Sequence, residues 1–386
     1  MKILVYLGHP AHFYLYKNAI ENMRKEGHCV EILIKKKDIL QLLIENQGWS
    51  YHNILQEGRK NSKLGILIGM IKRTIRLNHF CKEFNPNILT GTSVENSYIG
   101  KYRNIPVVNC NEDDAAVVPL YAKLSYPWAN VILNPEVCNS GKWDKRAIKY
   151  PSYHELAYLH PNHFTPLESK VRQYGIDINK PYFIIRFASL HAHHDSGIKG
   201  INTDIAQHLI DILSPHGHIY ITSERPLEPQ FEQYRIHINP LDMHHVMAFA
   251  SLYIGDSQTM AAESGVLGVP FVRFNDFVGR IGYLRELEDV YELGYGIHAT
   301  PLAADSSIHR EDGSEQPSGV EALYDCVEQL VRMPALERRT IFQAHRKKML
   351  SDKIDYAKFL TWFIENYPQS AKQAKEADKN FWLQFK

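Results

Sequence analysis

One stretch constrains the fold more than any other: residues 249–275, FASLYIGDSQTMAAESGVLGVPFVRFN. It predicts a buried strand over Leu252–Ile254, a Gly-Asp-Ser turn, a short helix of small residues, and a second buried strand over Pro270–Phe274. Asp256 or Ser257 stands where an N-cap belongs, with a side-chain oxygen for a free backbone N–H. The amides of Ser257, Gln258 and Thr259 then point out of the positive end of the helix, a ready anion site. Glu263 lies one turn further on, where a carboxylate can accept from a ribose or sugar hydroxyl. Ala261, Ala262, Ser264, Gly265 and Gly268 keep the helix thin against its sheet. Two readings stand side by side: an ordinary strand–helix–strand unit without a ligand, or a site for a phosphorylated sugar or nucleotide.

The rest of the chain repeats the alternation. At 386 residues it is long for one core, so two domains are expected. Lys2–Leu7 is a first strand ending in Gly8-His9-Pro10, followed by a helix over His12–Lys25 and a strand over Cys29–Ile34. In a doubly wound sheet, ligands bind at the carboxyl ends of the strands, which puts Gly8, His9 and His12 at that end. A histidine there is either a general base or a cap for the first helix. The strand over Pro106–Asn109 runs into Asn111-Glu112-Asp113-Asp114. Three carboxylates at a strand mouth repel one another unless solvated, paired or partly protonated. Between them, Asp38–Gln47 and Leu64–Phe84 read as helices. The second carries Lys72, Arg73 and Arg76 beside Ile68, Ile71 and Ile75, a face that suits solvent or an anionic membrane. The segment 150–166, YPSYHELAYLHPNHFTP, places His154 and Glu155 either in packing or against substrate.

A second domain opens with a strand over Tyr182–Phe187, where Arg186 can clamp a diphosphate with its planar fork. The following run holds His191, His193, His194 and Asp195, without an HExxH pattern or a second ligand cluster. A loop closing over a ligand is favoured there over a metal. Strands over His218–Ser223 and Arg235–Ile238 and a helix over Leu241–Ala250 lead into the central stretch. Glu224, Arg225 and, further on, Arg280 occupy strand mouths. Residues 301–319 read as a mobile loop, Asp355–Glu365 as an amphipathic helix, and Gln369–Lys386 as a loosely held polar tail.

Composition bounds the partners. A net charge of +1 gives no bulk field for nucleic acid. The five scattered cysteines, with no CxxC pair, suit a reducing compartment without structural zinc. No apolar run reaches the roughly 18 residues of a membrane span, and MKILVYLGHP reads as a strand rather than a signal peptide. A cytoplasmic protein is expected.

The pattern G-D-x-x-T-M-x-x-E-x-x-x-L-G-x-P at 255–270 resembles the nucleotide-diphosphate motif of GT-B glycosyltransferases and of the sugar-nucleotide 2-epimerases sharing their fold. More specifically, the chain is similar to the DUF354 family of predicted glycosyltransferases, at GHPAHFYLYKN, VVNCNEDDAAVVPLYAKL, YPSYHELAYLHP and YFIIRFAS. The resemblance implies an α/β protein of two Rossmann-like domains facing across a cleft. Residues 1–165 would be the acceptor side, 180–350 the nucleotide-sugar side, and a helix at 355–370 would cross back to the first domain. It implies metal-independent transfer of sugar from a nucleotide-diphosphate donor to a glycan or lipid-linked acceptor in surface polysaccharide biosynthesis, inside the cell or at the inner face of its membrane. No cofactor is implied beyond the nucleotide sugar. In this scheme His9, His12 or Asp113 takes the acceptor's proton. Arg186, Ser189, Asp256, Ser257, Gln258, Thr259 and Glu263 hold the donor, and Gly8, Glu112, Glu224, Arg225 and Arg280 line the cleft. The alternatives are a sugar-nucleotide 2-epimerase or hydrolase and a non-catalytic sugar-nucleotide-binding protein. Against the epimerase, GHPAH and RFASLHAHHD replace that group's usual opening and histidine-arginine segments.

Overall fold

The computed structural model describes residues 1–35, 39–55, 63–188, 199–303, 306 and 308–386. Two compact units emerge, Met1–His163 together with Lys353–Lys386, and Phe164–Asp352.

The first unit runs β1 (Lys2–Leu7), α1 (Pro10–Lys25), β2 (Cys29–Ile34), α2 (Leu40–Asn46), β3 (His52–Asn53), α3 (Lys63–Phe84), β4 (Ile88–Gly91), α4 (Val94–Arg103), β5 (Val107–Cys110), α5 (Pro119–Ser125), β6 (Val131–Pro135) and β7 (Ile148–Tyr150). Its seven strands are ordered β3-β2-β1-β4-β5-β6-β7, and every pairing is parallel. Helices cover both faces of such a sheet, which is why β1, β4, β5 and β6 read as continuous apolar runs rather than alternating ones. The winding direction reverses between β1 and β4, the place where an open α/β sheet parts to form a crevice. Gly91 ends β4 at φ 134°, and a Cβ there would lie 2.5 Å from the Tyr6 carbonyl oxygen of β1. Only glycine lets the two strands close up at that point.

The second unit runs α6 (Glu168–Arg172), β8 (Tyr182–Phe187), α7 (Thr203–Leu213), β9 (His218–Ser223), α8 (Met243–Ala248), β10 (Leu252–Gly255), α9 (Gln258–Val266), β11 (Phe271–Phe274), α10 (Gly282–Arg285), β12 (Gly294–Ile297), α11 (Gly319–Arg332) and α12 (Ala335–Asp352). The strand order β12-β11-β10-β8-β9, again all parallel, reverses between β8 and β10. Here too a glycine sits at the reversal. A Cβ on Gly255 would stand 2.9 Å from Arg186 Cβ and 3.0 Å from the Arg186 carbonyl oxygen. The central stretch of the sequence is therefore β10–α9–β11, with Ile254 and Val272 in the core of this unit.

The chain then returns to the first unit through α13 (Tyr356–Glu365), α14 (Gln369–Lys375) and α15 (Lys379–Leu383). Asp355 caps α13 at Lys358 N (3.1 Å) and holds His163 Nε2 at 2.8 Å, while α13 packs on α1. The final segment is not the loose polar tail that its lysines suggest. Phe381, Trp382 and Phe385 pack their rings among Phe359 and Trp362. The Phe385 carbonyl also accepts from Asp355 N at 2.9 Å. Nor is there a strand over Arg235–Ile238. The Arg235 guanidinium folds back onto Glu232 at 2.6 Å, and the segment keeps a single bridge to Ile221 of β9. The first helix starts at Pro10 rather than His12, because His9 caps it and proline needs no N–H partner at that position.

Candidate functional site

The carboxyl ends of the strands form a distinct mouth in each unit. In the first, the backbone leaves β1 through Gly8 and His9. His9 Nδ1 accepts from Ala11 N at 3.2 Å, and His12 Nδ1 accepts from Gly8 N at 3.1 Å. A backbone N–H can only donate, so both rings carry their proton on Nε2. Burial, followed by the charges of His9, Lys35 and His154, holds the His12 pKa well below its ordinary value. His12 is therefore a neutral imidazole that donates. Either histidine could act as a base only by giving up its contact at the helix start.

The acidic loop after β5 is held in place. Asn111 Nδ2 donates to the Asp113 carbonyl at 3.0 Å, and Asp114 Oδ1 accepts from Asn139 N at 2.8 Å. Burial raises the Asp113 pKa to about 7, with Glu112 and Asp114 adding to the rise and His154 opposing it. A carboxylate poised at that value both takes and returns a proton near neutrality. Glu112 is engaged elsewhere. Its Oε2 accepts from His154 N at 3.1 Å, and its Oε1 lies 3.4 Å from His154 Nδ1. His154 Nε2 is buried and meets no hydrogen-bond partner among the described residues. From the sequence, packing is the favoured role for His154, with contact to substrate as the alternative. Its partner Glu112 lies 42 residues earlier, and only the fold reveals that pairing.

In the second unit the mouth lies between β8 and β10. Ser257, not Asp256, is the N-cap of α9, with Oγ accepting from Met260 N at 3.4 Å. Asp256 is buried and straps the two strands together, its Oδ1 accepting from Ala188 N at 2.6 Å. Burial raises its pKa to about 6 against the pull of that N–H and of Arg225. The Gln258 side chain is likewise structural: Oε1 accepts from Arg273 Nη1 at 2.6 Å and Nε2 donates to Asn275 at 3.2 Å. What Gln258 and Thr259 offer a ligand is their backbone N–H groups, which have no intrahelical acceptor in the first turn of a helix.

Arg186 reaches the same mouth from β8. Nη1 donates to Thr222 Oγ1 at 2.7 Å and Nη2 to Glu224 Oε1 at 2.5 Å, while Nε is buried and meets no partner among the described residues. Arg225 lies over the Phe187 ring at 5.0 Å and donates to the Ile201 carbonyl at 2.8 Å. Glu263 is buried and paired with His244 Nε2 at 2.9 Å, so the acceptor expected for a ribose already serves a histidine of the same unit. Arg280 is exposed. Ser189 and the His191–Asp195 cluster lie outside the described residues. Among those described, no group of three or more histidine, cysteine or acidic side chains is placed to hold a metal.

This architecture is that of the GT-B glycosyltransferases and the sugar-nucleotide 2-epimerases. The UDP-GlcNAc 2-epimerase of Neisseria meningitidis bound to UDP-GlcNAc superposes with a TM-score of 0.62 at 14% identity, covering 95% of this chain and 100% of that one. Spinosyn rhamnosyltransferase complexed with spinosyn aglycone gives 0.58 at 13% identity, with coverage of 95% and 100%. The calicheamicin glycosyltransferase gives 0.56 at 12%, with coverage of 96% and 99%. The chain belongs to the family described as "Protein of unknown function (DUF354)", which matches residues 1–277. No curated protein matches it in sequence.

Proposed function

We propose that the protein is a glycosyltransferase that moves a sugar from a nucleotide-diphosphate donor to a hydroxyl of a glycan or lipid-linked acceptor. The observation that carries this reading is the mouth between β8 and β10. There the amides of Gln258 and Thr259, the N-terminal end of α9 and the Arg186 guanidinium gather at a topological switch point. These donors suit the negative charge that develops on a leaving diphosphate, and such fixed dipoles need no reorganisation as the reaction proceeds. The acceptor oxygen forms its bond to the anomeric carbon as the bond from that carbon to the diphosphate breaks, and the electron pair departs with the diphosphate. Asp113 takes the acceptor's proton, and the His12 Nε2–H donates to the acceptor or the sugar. The solved relatives in complex with UDP-GlcNAc and with an aglycone support a nucleotide sugar and an acceptor as the two ligand classes.

Epimerisation is the second reading. It is favoured by the electrostatic reach of Glu112 and His154, themselves in contact, to Asp113, which gathers several proton-handling groups at one mouth with no acceptor required.

Thermal unfolding against UDP, GDP, CMP and dTDP and their sugars tests the donor. At about 100 times its dissociation constant a ligand adds about 2.7 kcal/mol, a shift of several degrees. One nucleotide series should raise the midpoint, and Ser257→Trp should abolish the rise. No shift with any series would overturn the reading. Incubating the stabilising sugar nucleotide without acceptor then separates the two chemistries, since conversion of the sugar under those conditions would establish the epimerase.

A further inference from the structure

The outer layer formed by α3, α4 and α5 carries a group of exposed apolar side chains. The three helices pack side by side, with Arg73 Nε bonded to Glu95 at 2.6 Å and Arg103 Nε to Asn78 at 2.7 Å. Ile68, Ile71 and Ile75 of α3 fall on one face at helical spacing and are 45%, 48% and 63% exposed. Tyr102 of α4 is 75% exposed, and Trp128, just past α5, is 44% exposed with its ring edge-on to Tyr98. Large apolar side chains in that number are unusual on a surface that meets only water.

The charge on this layer is just as uneven. Its three helices carry eight lysines and arginines against two glutamates in a chain whose net charge is only +1. One of those acids, Glu95, is buried against Arg73. Lys72, Lys82, Lys101 and Lys123 are exposed. Beside Trp128 and Lys101 a groove of about 570 Å³ opens, with Arg146 on its wall. Among the described residues no helix is long and apolar enough to cross a membrane.

We propose that the α3–α4–α5 face docks on an anionic lipid bilayer. The isoleucines, Tyr102 and Trp128 enter the interface while the surrounding lysines meet the lipid phosphates. Apolar insertion and cationic attraction together are what hold an interfacial helix without a membrane span. A polar protein partner would not call for three exposed isoleucines, and a second copy of the same face would set its excess cations against one another.

Vesicle flotation of the full-length protein, without nucleotide, tests this independently of the donor. Co-flotation is expected with vesicles of phosphatidylcholine mixed with phosphatidylglycerol, and not with phosphatidylcholine alone. The Ile68→Ser/Ile71→Ser/Ile75→Ser variant should stay in the soluble fraction. Each of Lys72→Gln, Lys82→Gln and Lys101→Gln should weaken binding about fivefold. Because these side chains are exposed, all the variants should keep the wild-type melting temperature, and the nucleotide shift should persist in each. Failure to float with anionic vesicles would overturn the proposal, as would flotation unchanged by the serine variant. A dimer in sedimentation that the serine variant makes monomeric would overturn it in favour of self-association.

Discussion

The two strand mouths are built on the same plan and filled with opposite chemistry. Each lies where the winding of a parallel sheet reverses, and each has a glycine, Gly91 or Gly255, where two strands press together. In the first unit Asp113, raised to about 7, can change protonation near neutrality, and it stands with a neutral His12 that donates and with His154, one of whose ring nitrogens is buried. In the second the acids are committed. Asp256 holds Ala188 N, Glu224 holds Arg186, and Glu263 holds His244. What remains for a ligand there is amide N–H groups and guanidinium. Under the proposed function, the first mouth would move protons and the second would hold negative charge.

The sharpest way to break that contrast is Asp113→Asn. The amide keeps the shape and loses the base, so turnover should fall by about 10²- to 10⁴-fold. Donor binding, read by thermal shift, should stay unchanged. The wild-type kcat/KM should fall below about pH 7 as Asp113 takes up its proton, and the variant should lack that limb. If Asp113→Asn weakened nucleotide binding instead, the two mouths would not be specialised as argued.

Arg186→Ala addresses the other side. A charge-assisted contact is worth about 1.5–3 kcal/mol, so donor affinity should drop about 10- to 100-fold. Glu224 is half exposed, and water can replace its partner, so stability should change little. A nucleotide titration with unaltered affinity would remove Arg186 from the site.

The same contrast shows how far the sequence could be read. The β10–α9–β11 stretch announced its strands and its helix through apolar runs, a cap residue and small side chains, and GHPAH placed two histidines at the end of β1. These are local signals. The pairings that assign each side chain its duty are not local: Glu112 with His154, Glu263 with His244, and Arg273 of β11 with Glu288. Arg273 did carry a hint, since a lone arginine inside the apolar run FVRF must find a buried acid. Its partner's position needed the fold. The choice of cap between Asp256 and Ser257 stays open in the sequence for a related reason. An aspartate at a helix start satisfies the cap rule as well as serine does, and only the approach of β8 turns it toward Ala188 instead.

Asp256→Ala tests that strap. Losing the acceptor leaves Ala188 N unpaired beside a small void, and stability should fall by about 1–3 kcal/mol in denaturant unfolding. Asp256→Asn keeps an acceptor and should lose less. The sign of the pH dependence follows from the raised pKa. Between the ordinary carboxylate range and about pH 6 the folded state binds a proton that the unfolded chain has released, so this residue lowers stability as pH rises through that window. The asparagine variant should flatten the slope there, and Asp113→Asn should flatten a wider one reaching about pH 7. Slopes identical to wild type would mean that neither carboxyl is perturbed.

The smallest effect separates capping from binding at a single residue. Ser257→Ala removes the Oγ that accepts from Met260 N, a contact already long at 3.4 Å, so the stability cost should sit near the low end of cap losses, about 0.5 kcal/mol. The backbone amides of Gln258 and Thr259 survive the change. If they hold the diphosphate, the nucleotide-induced midpoint shift should persist in Ser257→Ala and vanish in Ser257→Trp, where bulk blocks the approach to the same amides. Equal loss in both would make the serine hydroxyl, rather than the end of the helix, the group that binds.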